Sequence, residues 1–438
     1  MKKIYFLPAL CAVGLLGSTA LSQPVWAAEP NGAAEAQAHQ EASHQHRSVL
    51  TLSDAIEKAL DASPRLKSAA AQLEAAKGAE DQAGAWPNPE FEFEAEDIAG
   101  SGNLSGVNGA EITYGIAQEL EIGGKVSSRS EAAKQGVMLG QYGQTMERYN
   151  LIRDVEIAYY NAVAAQEMLA LSEERKTLAE TLLAAVKKRV NAALEPEVQL
   201  RKAEITVSTA KVAYQRAQRE FHHTKHVLAS LWTGHDEEFL LEADPLYRLT
   251  APPTEKEVEA QLLQTPDIKQ WEVKRNQQEA LYELEKAKAI PNPKLRFGVR
   301  DLRESGDQAF MAGLSIPIPV FNANTGNITS AKSNLSKSQS DGDATHIDLR
   351  NMLYHRLEEM VNSYHQAQTL TADIIPSAED AFALSREGYN SGSFPYLEVL
   401  DAQRTLFEAK EQYIKTLEEY HTARANVERL TTITEEQE

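Results

Sequence analysis

Two stripes of apolar residues along the chain share one spacing. Ala203, Val207, Ala210, Tyr214, Ala217, Phe221, Thr224, Leu228 and Leu231 step alternately by four and three. Ala402, Leu406, Ala409, Tyr413, Thr416, Tyr420, Ala423, Val427 and Leu430 repeat the pattern 199 residues later. This is the spacing of helices packed along a coiled-coil seam. A turn precedes each stripe at the same offset, Asn191 to Pro196 and Asn390 to Pro395. The chain therefore reads as a duplication, with one repeat expected over 49–245 and the second over 246–438.

Upstream of each turn, nothing interrupts a helical pattern over about 126–190 or 327–388. At 1.5 Å per residue each is a rod of roughly 100 Å, and the helical hairpins are expected over 126–232 and 327–432. Further upstream the period changes. Trp86-Pro87-Asn88-Pro89 and Pro291-Asn292-Pro293 stop a helix, and beyond them the alternation is twofold. Phe91, Phe93 and Ala95 alternate with Glu90, Glu92, Glu94 and Glu96; Ile112, Tyr114, Ile116, Gln118, Leu120 and Ile122 alternate with polar or small residues. Leu295, Phe297 and Val299 alternate with Lys294, Arg296 and Arg300, and Phe310 to Val320 continues the pattern. Two β-hairpins are expected, over 90–122 and 294–320, each with one apolar and one polar face. A soluble sheet on a core has this pattern. So does a membrane barrel, apolar toward lipid and polar toward water. Four strands cannot close a barrel, so the second reading requires an oligomer.

The first 27 residues read as a secretory signal: Lys2 and Lys3, an apolar run, and small residues at Val25 and Ala27. The one cysteine, Cys11, lies inside it. Residues 28–48 are expected to be a polar N-terminal arm. The net charge of −20 argues against nucleic acid as a partner.

No nucleophile–base pattern, phosphate loop or metalloenzyme motif appears, so neither an enzyme nor a cofactor is expected. His222 and His226, one helical turn apart, are weak candidate metal ligands, and His39, His44 and His46 lie in the arm; a polar tail and a solvated helix face are the favoured reading of the two groups. The two hairpins carry opposite charge, Glu92, Glu94 and Glu96 on one and Lys294, Arg296 and Arg300 on the other, and these side chains would line a barrel lumen. Glu398 and Asp401 share a helix face after the second turn, where the first copy has Gln199 and Lys202.

With its duplicated plan, its two Pro-Asn-Pro stops and its Gly388–Gln403 segment, the chain resembles the TolC family of outer-membrane efflux channels over nearly all of its expected mature length. Gln118 to Lys125 and Ile316 to Asn322 are similar to the branch serving cobalt–zinc–cadmium and copper–silver efflux. The resemblance implies a mainly α fold with membrane β-hairpins. It also implies a homotrimer with a twelve-stranded β-barrel in outer-membrane lipid and a twelve-helix α-barrel across the periplasm. The implied partners are a periplasmic adaptor (membrane fusion) protein and an inner-membrane pump of the resistance–nodulation–division class, and the implied activity is a passive exit duct for heavy-metal cations. The gate would comprise Tyr389, Glu398 and Asp401, and the adaptor would dock at the tips, around Asn191, Ala193, Pro196, Asn390, Gly392 and Pro395. A basic gate residue of some members is replaced by Phe394. Lipidation at a mature N-terminal cysteine, found in some members, is not expected here. The rivals are a drug or small-organic duct of the same family, a periplasmic adaptor, and a structural coiled coil; the last leaves the amphipathic hairpins unexplained.

Overall fold

The computed structural model describes residues 49–234 and 239–433. The expected signal, Cys11 and the N-terminal arm with its three histidines lie outside these residues. In chain order the first repeat contains β1 (Val49–Leu50), α1 (Leu52–Ala62), α2 (Pro64–Gly84), β2 (Glu90–Glu96), β3 (Glu111–Glu119), α3 (Lys125–Asn191), α4 (Glu197–Ser230) and β4 (Leu240–Leu241). The second contains α5 (Glu255–Leu262), α6 (Pro266–Lys288), β5 (Lys294–Leu302), β6 (Asp307–Ser315), α7 (Thr325–Thr369), α8 (Ile375–Ser391) and α9 (Tyr396–Thr431).

Local sequence sets the boundaries. Thr51 with Asp54, and Thr254 with Glu257, form capping boxes at α1 and α5. Pro64 begins α2 with Ser63 as its cap. Gly124 and Asn324, both left-handed, admit the chain to the two long rods. The first rod, α3, is 67 residues of unbroken helix. Its counterpart breaks into a π turn at Leu370–Ile374, where the Ile375 N–H bonds to the Leu370 carbonyl. Pro376 follows at once and lacks the N–H that an α-helix would donate to Ala372. At the equivalent place α3 has Thr177, and the helix runs on.

The helices bury several apolar seams. A central core gathers Leu50, Leu151, Val155, Tyr159, Leu228, Leu246, Phe407 and Leu417, and the short parallel pair β1–β4 lies against it. A second cluster, Leu182, Val186, Phe382, Tyr389, Tyr396, Val399 and Leu406, holds the far ends of the rods together.

The two hairpins join in one antiparallel sheet of order β2-β3-β5-β6. The repeats meet at β3–β5, with Gly115 opposite Gly298. A Cβ on Gly298 would fall 2.6 Å from the Tyr114 carbonyl oxygen, so only glycine permits this approach. β3 ends at Glu119 and β6 at Ser315, short of the expected 122 and 320. The ladder stops because Pro291 and Pro293 on β5's side, and Pro317 and Pro319 on β6's, have no N–H to contribute.

Both helical turns need one left-handed residue. In the second it is Gly392 (φ 81°); in the first it is Ala193 (φ 56°). Ala193→Gly should therefore stabilise the first tip by up to about 1 kcal/mol. Amide hydrogen exchange over residues 190–196 should slow; faster exchange would show that Ala193 is not strained.

Candidate functional site

The sheet has two unlike faces. Phe91 (73 % exposed), Phe93, Tyr114, Ile116, Phe297 (61 %), Phe310 (93 %) and Leu314 project from one. The other carries Glu90, Glu92, Glu94, Glu96, Glu111, Glu119 and Asp307 against Lys294, Arg296 and Arg300. The charges pair between β2 and β5, across the strand between them. Lys294 Nζ lies 2.6 Å from Glu90, Arg296 Nε 2.7 Å from Glu92, and Arg300 Nη2 3.3 Å from Glu96. Arg300 also bonds to Glu111 on β3 at 2.6 Å. They can arch over β3 because its side chains there are Thr113, Gly115 and Ala117, all buried beneath them. Glu94 shares the face and makes no ion pair among the described residues. The pairs are partly solvated and each contributes little stability, but acids exceed bases, so the face is net negative.

At the other end of the rods the two tips use one turn with different fastenings. Residues 189 and 195 are Arg and Glu; their equivalents 388 and 394 are Gly and Phe. Arg189 Nε sits 3.1 Å from Glu195 and closes the first turn. In the second, the Phe394 ring lies directly on Gly388, where any Cβ would overlap it at 2.2 Å. Arg189 also reaches across to the second tip. Its Nη1 donates to the Tyr389 carbonyl at 2.8 Å, and its guanidinium lies 4.8 Å from the centre of the Tyr389 ring. Tyr389 is buried beside Tyr396, ring centres 6.0 Å apart. Burial first, and then the facing Glu195 carboxylate, push the Tyr389 phenol well above its ordinary range. The contact is imperfect: Tyr389 Oη and Glu195 Oε2 are buried without a well-aligned hydrogen bond.

The predicted tip residues Asn191, Ala193, Pro196, Asn390, Gly392 and Pro395 are all exposed, and Pro196 and Pro395 cap the next helices. Glu398 and Asp401 are exposed on the opening turns of α9, and Asp401 pairs with Arg404 at 2.8 Å. Tyr389 is not on that surface, because it fills the seam between the tips. Sequence reasoning missed Arg189 and Glu195. Their signal was a departure from the repeat at two positions six apart. His222 and His226 sit one turn apart on α4, and among the described residues no group of three His, Cys, Asp or Glu forms a metal-holding cluster.

Among the described residues no helix is long and apolar enough to cross a membrane. A sheet with one exposed apolar face and one charged face, set at one end of two duplicated helical hairpins, has the plan of a membrane-channel subunit. The chain belongs to the outer membrane efflux protein family, whose pattern it matches over residues 55–234 and 258–432. It is 28 % identical to the cobalt-zinc-cadmium resistance protein CzcC of Cupriavidus metallidurans, over 87 % of this chain and 90 % of that one. It is 27 % identical to the nickel-cobalt-cadmium resistance protein NccC of Alcaligenes xylosoxydans xylosoxydans, over 67 % and 66 %. The fold superposes on a membrane protein from Pseudomonas aeruginosa with a TM-score of 0.75 at 22 % identity, covering 87 % and 90 % of the two chains. The protein is thus an outer-membrane efflux channel rather than an enzyme. The family supplies the outer-membrane part of tripartite systems, alongside a periplasmic adaptor and an inner-membrane pump.

Proposed function

We propose that three copies of this chain form a passive duct for heavy-metal cations. The observation that carries this reading is the four-stranded sheet with two open edges, β2 and β6, one exposed apolar face and one charged face. Open edges in lipid leave backbone groups unpaired, so the sheet must close on others of its kind. Three sheets give twelve strands, and the rods below them a twelve-helix tube of about 100 Å. The acid-rich face then lines the lumen and favours cations over anions. Relatives that confer cobalt, zinc, nickel and cadmium resistance support such a cargo. Deleting the protein should sensitise its host to one or more of these metals. Unchanged metal sensitivity together with new sensitivity to organic drugs would reassign the cargo.

The resting tube is narrowed at the tips, where Glu398 and Asp401 approach their copies around the axis. Tyr389 acts there as a pin. Held by Arg189 and Glu195, it ties the second hairpin to the first, and opening requires it to leave that seat. The exposed turns around Ala193 and Gly392 are the docking surface for the adaptor. Single-channel recording of Glu398→Ala/Asp401→Ala in planar bilayers should show weaker block by divalent cations and higher conductance. Unchanged conductance with unchanged block would leave both acids as ordinary solvated helix-start residues.

A further inference from the structure

The apolar rows that lie within the hydrogen-bonded ladder are too few to span a membrane. On the second hairpin they run from Val299 and Phe310 to Leu295 and Leu314, and Asp301 and Gln308 close them at the loop end. Four residues of tilted strand cover only about 10 Å, whereas an outer-membrane barrel presents an apolar band of about 25 Å.

The alternation continues past the ladder on all four strands. Pro87 and Pro89 keep the parity of Phe91, and Leu120 and Ile122 that of Ile116. Pro291 and Pro293 keep the parity of Phe297; Ile316, Ile318 and Val320 that of Phe310. Ile122, Ile316, Ile318 (81 % exposed) and Val320 (72 %) are uncovered. Counted from Phe310 to Ile318, the apolar length is about 20 Å at the usual tilt, close to what lipid requires.

The backbone there suits a medium without water. Six prolines, at 87, 89, 291, 293, 317 and 319, remove N–H groups just where the ladder no longer supplies acceptors. Several remaining donors are used. Leu120 N–H bonds to the Pro293 carbonyl at 2.9 Å, Ile122 N–H to Asn292 Oδ1 at 3.4 Å, and Val320 N–H to the Ile318 carbonyl at 2.9 Å. The buried Lys125 ammonium donates to the carbonyls of Ile122 and Ile290 and to Asn292 Oδ1. This polar plug sits where the belt ends and the rods begin.

We infer that the lipid-facing belt of this protein extends beyond its hydrogen-bonded strands. Acyl chains cover Pro87–Pro89, Leu120–Ile122, Pro291–Pro293 and Ile316–Ile318, and the membrane–periplasm boundary lies at the level of Lys125. The inference rests on the barrel reading above. Neighbouring copies meet the sheet at its edges, β2 and β6, so its outer face and the residues that continue that face are left to lipid.

The test uses nitroxide labels on cysteines introduced singly at Ile316 and Ile318 in the full-length protein, reconstituted in phosphatidylcholine vesicles. Phe297→Cys reports the barrel itself and Ser393→Cys the aqueous tip. Collision rates with oxygen and with a water-soluble nickel chelate are compared. Labels at 316 and 318 should match the label at 297, with an oxygen-to-nickel ratio severalfold above that at 393. A nickel-accessible label at 318 beside a lipid-like label at 297 would end the belt at the ladder and overturn the inference while sparing the barrel. Labels at 316 and 318 shielded from both probes would mean that a neighbouring copy covers them, which also overturns it. A nickel-accessible label at 297 would remove the barrel, and the belt with it.

Discussion

Replacing Arg429 by alanine should destabilise the folded chain by about 3–5 kcal/mol. The guanidinium is 6 % exposed at the end of α9. It grips Asp267 at the start of α6 with two bonds, 2.8 and 3.0 Å, and donates to Asn150 of α3 at 2.6 Å. One side chain thus ties both repeats together where the upper helices meet the rods. Alanine leaves the Asp267 carboxylate, itself largely buried, without a counter-charge, and it is this orphaned charge that costs most. Arg429→Lys keeps the charge and loses the fork, so it should fall between the two. Thermal unfolding of the purified protein in detergent checks the order. A variant Arg429→Ala within about 1 kcal/mol of the parent would show that water already solvates Asp267.

Phe297→Arg is the second large effect, about 2–4 kcal/mol per copy if the residue faces the middle of the bilayer. Phe297 pairs with Ile116 on one side and Ala312 on the other, in the central row of the sheet. The same charge at Asp301, on the same face but two rows nearer the loops, should cost less than about 1 kcal/mol. The contrast is the informative part. In a water-facing sheet an exposed phenylalanine would yield to arginine at no cost, and the two variants would behave alike. The measurement is the yield of heat-resistant assembled protein in outer-membrane fractions.

Much of the fold was legible in the sequence because long helices and amphipathic strands impose strong periods. The 199-residue offset exposed the duplication, and the Pro-Asn-Pro stops located the change of period. What stayed hidden depended on partners distant in the chain. Nothing local to Thr113, Gly115 and Ala117 announces that they form the floor beneath ion pairs from Glu92 to Arg296. The strand ends were overshot because the apolar alternation through Ile316, Ile318 and Val320 continues where pairing does not. Pro317 and Pro319 were the signal, and their effect on the ladder is stronger than the pattern around them. At the tips, Glu398 and Asp401 were legible as an acidic helix start. The burial of Tyr389 was not, because its seat is built by Arg189 and Glu195 from 200 residues away.

The π turn before Pro376 has a mechanical consequence. An unbroken 67-residue helix is a strut, stiff in bending and able to carry compression along its whole length. Its partner rod of the same origin has a joint a little short of its end. In the ring of three chains proposed above, rigid and jointed struts would alternate around the circumference. Pressure on its rim would be borne by the three unbroken struts, and displacement taken up by the three jointed ones. Opening of the proposed gate would then be a swing of short levers, each of them α8 and the start of α9, with the wall above them keeping its length.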